Sequence, residues 1–66
     1  MTMKLWNPDG TTQTIGEYRP SCEPKYLCER LKLAARIYLG KGHKINYATM
    51  AASVQTINGV MWIELV

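Results

Sequence analysis

The chain has 66 residues, of which 47% are hydrophobic and 20% charged, and its formal net charge is +3. This composition is that of a folded protein and excludes a disordered tail, and a chain this short forms one domain with a thin core. We therefore predict a single domain over residues 1–66. The moderate positive charge permits salt-sensitive contacts but is low for a dedicated non-specific DNA-binding protein.

The first predicted elements are two paired strands joined by a tight loop. Asn7-Pro8-Asp9-Gly10 separates residues 3–6 from residues 11–15. Proline suits the first corner of a turn, and glycine supplies the positive φ that such loops need. We therefore predict an N-terminal β-hairpin.

One helix is predicted after the hairpin, over residues 24–39. Ser21, Glu23 and Pro24 supply a polar cap, an acid near the positive end of the helix dipole, and a proline in the first turn, where its missing N–H is not needed. Gly40 and Gly42 are expected to end the helix, because glycine accepts the left-handed conformation of a helix C-terminus.

The predicted helix has an unusually wide apolar arc. Steps of three and four residues bring its polar side chains onto one solvent-facing stripe, and the remaining apolar arc exceeds the ~100° that one sheet normally covers. Either the C-terminal hairpin wraps the helix, or part of this arc belongs to an interface. The polar stripe holds Lys25, Glu29, Lys32 and Arg36, the core side Leu27, Leu31, Ala34, Ala35 and Tyr38, and a third strip Tyr26, Leu33 and Ile37.

A second hairpin is predicted at the C-terminus, because Asn58-Gly59 is a strong turn signal between residues 53–57 and residues 60–66. A two-residue loop would pair Val54 with Ile63 on the side that meets the helix. That side would also carry Thr56, Met61 and Leu65. The far side would carry Ile57, Val60 and Trp62, with no second helix to cover them.

Residues 45–52 fit two patterns. Ile45, Tyr47 and Thr49 alternate as in a strand, whereas Tyr47, Met50, Ala51 and Val54 follow helical spacing with Asn46 as a cap. We favour the strand, which predicts an α+β fold with one helix on an antiparallel sheet in the order ββαββ. The alternative gives two helices joined by a glycine turn and resembles a helix-turn-helix arrangement.

The sequence gives little support for catalytic or metal-binding chemistry. Cys22 and Cys28 would lie about 240° apart on a helix, so a disulfide would require the helix start to unravel, and we expect reduced thiols. His43 is the only histidine, which leaves too few ligands for zinc, and the five acids form no close pair. We expect no cofactor, no bound metal and no enzymatic activity.

Targeting signals are also missing from the chain. The first six residues lack the basic start and long apolar run of a signal peptide, and no segment approaches the ~18 apolar residues of a membrane span. We therefore expect a soluble cytoplasmic protein without a membrane partner.

Positive charge is concentrated in one region. Seven of the eight basic residues lie between Arg19 and Lys44, with two acids among them. This region is either a solvated helix face that adds solubility, or a surface that meets phosphates or an acidic groove, extended by a glycine-flexed loop after the helix. The candidate partner-binding residues are Lys25, Lys32, Arg36, Lys41, His43, Lys44 and Trp62.

Trp6 and Trp62 each occupy a predicted strand, where tryptophan more often packs in the sheet than stacks on a ligand. Trp62 with Ile57 and Val60 would nevertheless make a compact apolar patch, and aromatic anchors near basic residues are typical of interface centres. We predict this patch as a second contact surface.

Residues 33–37 (Leu-Ala-Ala-Arg-Ile) and residues 54–62 (Val-Gln-Thr-Ile-Asn-Gly-Val-Met-Trp) resemble the helix and terminal hairpin of small phage-encoded anti-CRISPR proteins that act on the type I-F surveillance complex. The likeness implies a stoichiometric inhibitor whose basic helix residues occupy the site of target DNA. Arg36 matches a basic helix position of that family, and Lys32 lies one turn earlier. The chain departs from the family in its N-terminal hairpin and in the segment between helix and last hairpin.

Three functions follow as hypotheses. The first is a non-enzymatic inhibitor that occludes a nucleic-acid-handling protein or ribonucleoprotein complex through the basic helix, in the host cytoplasm if the chain is phage-encoded. The second is a small DNA- or RNA-binding protein that uses the same face. The third is a homo-oligomeric structural or adaptor protein in which Leu33, Ile37 and Trp62 are buried between copies.

Overall fold

The computed structural model describes residues 1–66 and contains one helix packed on a five-stranded antiparallel sheet. The α+β class is confirmed. The predicted order ββαββ is wrong, because three strands follow the helix. The strands are β1 (Thr2–Trp6), β2 (Thr12–Glu17), β3 (Lys44–Asn46), β4 (Ala51–Thr56) and β5 (Gly59–Leu65), and the helix α1 spans Pro24–Ala34. Across the sheet the strands lie in the order β2-β1-β5-β4-β3.

The N-terminal hairpin forms as predicted. The Gly10 N–H donates to the Asn7 carbonyl at 3.0 Å, and the Asn7 N–H donates to the Thr11 carbonyl at 2.8 Å. Gly10 has φ +90°, the left-handed conformation that the loop requires. Between β1 and β2 the register shifts by one residue and leaves Ile15 as a bulge.

The helix begins at Pro24 as predicted, although no side chain caps its first turn. At Ala35 the backbone changes to a π-helix that continues through Leu39, and the Gly40 N–H donates to the Ala35 carbonyl, five residues earlier, at 3.1 Å. Gly40 then ends the helical segment with φ +72°. The predicted span of residues 24–39 is therefore confirmed, but its last turn is wider than an α-helix.

The wider turn changes which side chain faces the sheet. Regular spacing predicts Tyr38 in the core, whereas Tyr38 is 41% exposed and Leu39 is only 8% exposed. Five residues in the π-turn delay the return to the sheet by one position, so Leu39 takes the place expected for Tyr38. The prediction for Tyr38 is wrong for this reason.

Residues 45–52 form neither one continuous strand nor a helix. Lys44–Asn46 forms the short strand β3, and β4 begins at Ala51. Between them the chain turns, with Asn46 Oδ1 accepting the N–H groups of Ala48 at 3.0 Å and Thr49 at 3.3 Å. The favoured strand is correct only at residues 45–46 and 51–52, and the helical alternative is wrong, because residues 47–50 form a turn.

The C-terminal hairpin forms with a different register. Thr56 pairs with Gly59, so Ile57 and Asn58 form the loop, whereas the sequence placed the loop at Asn58-Gly59. The Thr56 hydroxyl stabilises this turn by accepting the Asn58 N–H at 3.1 Å and donating to the Gly59 carbonyl at 2.7 Å. Ile57 is therefore fully exposed at the loop tip, so the prediction that it shares a sheet face with Val60 and Trp62 is wrong.

The core lies between the helix and one face of the sheet. Val54 and Met61 pack against it as predicted, while Val60 and Trp62 lie on the opposite face, which we call the open face. No hairpin wraps the helix, so its third apolar strip stays exposed. The buried core residues are Met3, Leu5, Leu27, Leu31, Ala34, Ala35, Leu39, Ala52, Ile63 and Leu65.

Candidate partner-binding surfaces

The outer side of the helix and the loop after it form one continuous cationic surface. Lys32 and Arg36 line a shallow groove on the helix, and Arg36 also lines a second depression with Lys41 and His43. Arg36 therefore lines both depressions and connects them. We call the surface made by Arg30, Lys32, Arg36, Lys41 and His43, with the exposed side chains between them, the basic helix surface.

The ring of His43 is held near the end of the helix by a contact with the backbone. The Nδ1 atom lies 2.6 Å from the Gly40 carbonyl oxygen. Because a carbonyl oxygen only accepts hydrogen bonds, Nδ1 carries the proton and Nε2 is left for another partner. The loop after the helix thus presents His43 in a fixed orientation.

Arg30 belongs to this surface and was not singled out from the sequence. It lines the helix groove with Lys32 and Arg36, and its interaction with the Tyr18 phenol raises the pKa of its guanidinium, first by hydrogen bonding and then by charge. The Tyr18 ring in turn makes an edge contact with Tyr26 at a centroid distance of 6.2 Å. Arg30 lies four residues after Tyr26 and three before Leu33, so the three side chains share one side of the helix. This spacing could have identified Arg30 from the sequence.

Exposed apolar side chains lie among these cations. Tyr26 and Leu33 line the same groove as Arg30, and Ile37, one helical turn after Leu33, is 67% exposed. One acid, Glu29, also lines the groove. The surface is thus mixed, with a positive excess around an apolar strip.

The remaining predicted site residues lie elsewhere. Lys25 is exposed on the first turn of α1 and lines neither depression of the basic helix surface. Lys44 lies on β3 opposite Ser53, which is itself opposite Trp62 on β5. Because directly paired residues point to the same face of a sheet, Lys44 and Trp62 share the open face, on the other side of the molecule from the helix.

Two tryptophans stack on the open face. Trp6 pairs with Trp62 across β1 and β5, with ring centroids 5.5 Å apart and ring planes 15° from parallel. The Trp6 Nε1–H donates to Glu64 Oε1 at 2.9 Å. The sequence placed both tryptophans in strands, but their contact depends on the pairing of the first strand with the last, which local pattern does not reveal.

A groove runs beside this stack. It has a volume of about 350 Å³, and Ala51 and Ser53 are among the residues that line it, with Trp62 and Val60 toward β5 and Lys44 toward β3. Lys44 is the only charged residue in its lining. The structure therefore presents two separate candidate surfaces, one cationic on the helix and one aromatic on the sheet.

Other site chemistry is limited. No group of three or more His, Cys, Asp or Glu side chains is placed to hold a metal ion, and Cys22 and Cys28 are free thiols. No helix in the structure combines the length and the apolar character that a membrane crossing requires. The arrangement supports binding by charge, hydrogen bonding and aromatic contact.

Comparisons with protein-family models, with curated proteins and with solved structures find no match to this chain. The resemblance to the anti-CRISPR proteins therefore stays a prediction.

Proposed function

We propose that this protein is a non-enzymatic binding protein that uses the basic helix surface to occlude a nucleic-acid-handling protein complex, as a phage or mobile-element inhibitor would. The observation that carries the proposal is the continuity of the surface: Arg36 connects the groove on the helix with the cationic depression at its end. Clustered, exposed cations of this kind complement an acidic protein groove or the phosphates of a nucleic acid held in the complex.

The apolar strip favours a protein partner over bare nucleic acid. Tyr26, Leu33 and Ile37 are exposed beside the cations, and protein interfaces characteristically combine aromatic and apolar centres with arginine. A surface that reads only the phosphate backbone has little use for exposed apolar side chains, because nucleic-acid interfaces are more polar.

The test uses a purified type I-F surveillance complex, a labelled target duplex, and the double variant Lys32→Glu/Arg36→Glu. We expect the wild-type protein to prevent duplex binding and the double variant to require at least about tenfold more protein, because two glutamates would then face an acidic groove or phosphates. Both side chains are exposed, so circular dichroism should show an unchanged fold.

Arg19→Glu is the matched control for each single reversal, because it changes the net charge equally at an exposed position outside the basic helix surface. Arg19→Glu should inhibit like the wild-type protein, whereas Lys32→Glu and Arg36→Glu should each weaken inhibition. If the surveillance complex still binds the duplex in the presence of excess wild-type protein, this complex is not the target. The same tagged variants, used to recover complexes from host lysate, then identify any other partner that depends on Lys32 and Arg36.

Direct nucleic-acid binding by the same surface is the rival function. Affinity for bare duplex that falls steeply with salt and is lost in Lys32→Glu/Arg36→Glu would replace occlusion with phosphate recognition. Assembly of copies through Leu33 and Ile37 is a further rival, and sedimentation at the mass of a monomer at every protein concentration would exclude it.

A further inference from the structure

The open face carries a row of five cross-strand neighbours. Lys44, Ser53, Trp62, Trp6 and Thr12 pair in succession across β3, β4, β5, β1 and β2. Directly paired residues point to the same face, so this row runs across the whole width of the sheet. It places a cation at one edge, a small side chain next to it, and a tryptophan stack in the middle.

The groove lies where the small side chain separates Trp62 from Lys44. Serine at position 53 and alanine at position 51 leave space between the indole and the edge strand, and the resulting open groove has a volume of about 350 Å³. Trp62 is 37% exposed although it stacks on Trp6, so part of its surface remains open to a ligand. A flat, largely apolar group that stacks on an indole fits this space.

Charge on the open face favours an anion at the groove. Glu64 is paired directly with Lys4, so the acid next to the groove has a cation opposite it, and one oxygen of Glu64 already accepts the Trp6 indole N–H. Lys44 has no acidic neighbour in its own cross-strand row. The other acid on this face, Glu17, lies on β2 at the far edge of the sheet, so Lys44 is the charged side chain at the groove that no acid faces.

We propose that the open face binds single-stranded nucleic acid, with one base stacked in the groove against Trp62 and a phosphate near Lys44. Stacking on aromatic side chains beside a cationic track is how sheets bind single strands with little sequence preference. This site is independent of the basic helix surface, which lies on the opposite side of the molecule.

A second copy of the chain fits the face less well. Apart from Trp6, Val60, Trp62 and Ala51, the side chains on this face of β1, β4 and β5 are polar or charged. Interfaces between permanent copies are more apolar than this. A groove with a single cation is also better matched to an anionic ligand than to the same face of a second copy, which would bring another Lys44.

The test is fluorescence anisotropy with a labelled oligothymidylate of about twelve nucleotides, a length that covers one small binding domain. We expect Trp62→Ala to weaken binding about 5- to 150-fold through the loss of stacking. Ser53→Leu, which fills the groove but keeps Trp62, should weaken binding as well. Lys44→Gln should make the affinity fall less steeply with salt concentration, by the amount that corresponds to about one phosphate contact.

Matched controls lie on the rest of the surface. Ile57→Ser removes a fully exposed apolar side chain at the loop tip, and Lys41→Gln removes a cation from the basic helix surface, so both should leave oligothymidylate affinity within about twofold. Lys32→Glu/Arg36→Glu should retain binding at the groove. Failure of this proposal is thereby separated from failure of the proposed inhibitor function.

Three outcomes would overturn the proposal. The first is no binding of oligothymidylate by the wild-type protein at low salt. The second is binding that is lost in Lys32→Glu/Arg36→Glu and kept in Trp62→Ala, which would show that the oligonucleotide binds the basic helix surface. The third is concentration-dependent dimerisation that Trp62→Ala abolishes, with no oligonucleotide bound, which would make the open face an interface between copies.

Discussion

Asp9 stabilises the first hairpin loop as a hydrogen-bond acceptor. Its Oδ1 atom accepts the Thr11 N–H at 2.9 Å and the Thr11 hydroxyl at 2.6 Å. These bonds, the hydroxyl first, favour the ionised carboxylate and lower the pKa of Asp9 below its usual value. The side chain is fully exposed, so water screens the effect and its contribution to stability is small.

The lowered pKa of Asp9 has a defined sign in the pH dependence of stability. The folded state holds the proton less tightly than the unfolded state, so the contribution is fully present above the unfolded pKa and is lost as pH falls through the folded pKa. We expect Asp9→Asn to unfold at slightly lower urea than wild type at neutral pH. This difference should shrink in acid, once Asp9 is protonated. A ¹³C NMR titration of the Asp9 carboxyl that shows no lowering would contradict the assignment.

Trp6 shows how a residue acquires a role that its neighbours in sequence do not suggest. Its strand position was predicted, but its indole contacts Trp62 and Glu64, more than fifty residues away in sequence. Local alternation indicates that a side chain faces one side of a strand, whereas the partner on that side depends on which strands pair. The aromatic stack therefore could not be predicted from the sequence.

The π-turn is the feature at the scale of elements that most changes the helix. In a regular α-helix Tyr38 would follow Leu27, Leu31 and Ala34 onto the core side. The π-turn substitutes Leu39, which packs between the helix and the sheet, and turns Tyr38 toward solvent. It also lets an apolar leucine fill the last core position before Gly40 ends the segment.

Paired substitutions test the π-turn directly. Leu39→Ala should lower the free energy of unfolding by about 2–3 kcal/mol, because it opens a cavity in the core. Tyr38→Ala should cost less than Leu39→Ala, because Tyr38 is 41% exposed whereas Leu39 is 8% exposed. Urea unfolding measures both values. The reverse ranking would indicate a regular α-helix through Leu39.

Residues 45–52 are the segment whose secondary structure was not predicted correctly from local sequence patterns. The segment is a three-residue strand, a four-residue turn capped by Asn46, and the start of β4, and Met50 takes a positive φ of 53° as the chain leaves the turn. The helical alternative is therefore wrong, and the strand prediction is correct only at the two ends of the segment. Pairing with β4 is what makes residues 44–46 a strand.

At the scale of the whole molecule, the two ends of the chain meet in the middle of the sheet. β1 pairs with β5, and the Thr2 N–H donates to the Val66 carbonyl at 2.8 Å while the Val66 N–H donates to the Thr2 carbonyl at 2.9 Å. β5 therefore has hydrogen-bonded neighbours on both sides, β1 and β4, whereas β2 and β3 are edges. This arrangement makes the last strand the centre of stability.

Amide hydrogen exchange should reflect this order. We expect the slowest exchange in β5, at buried positions such as Ile63, because those amides open only in global unfolding. The three residues of β3 should exchange fastest among the strands, since the strand is short and lies at an edge. Two-dimensional NMR after transfer to D₂O measures both, and equal protection of β3 and β5 would contradict this topology.

The sequence by itself determined the α+β class, both hairpins, the extent of the helix and the exposure of its cationic stripe, because turn residues and apolar periodicity act over a few neighbours. Tertiary structure decided the fifth strand, the loop register at Ile57, the burial of Leu39, and the partition of the candidate residues between two faces. These depend on pairing and packing between distant segments, and only the folded chain brings such segments together.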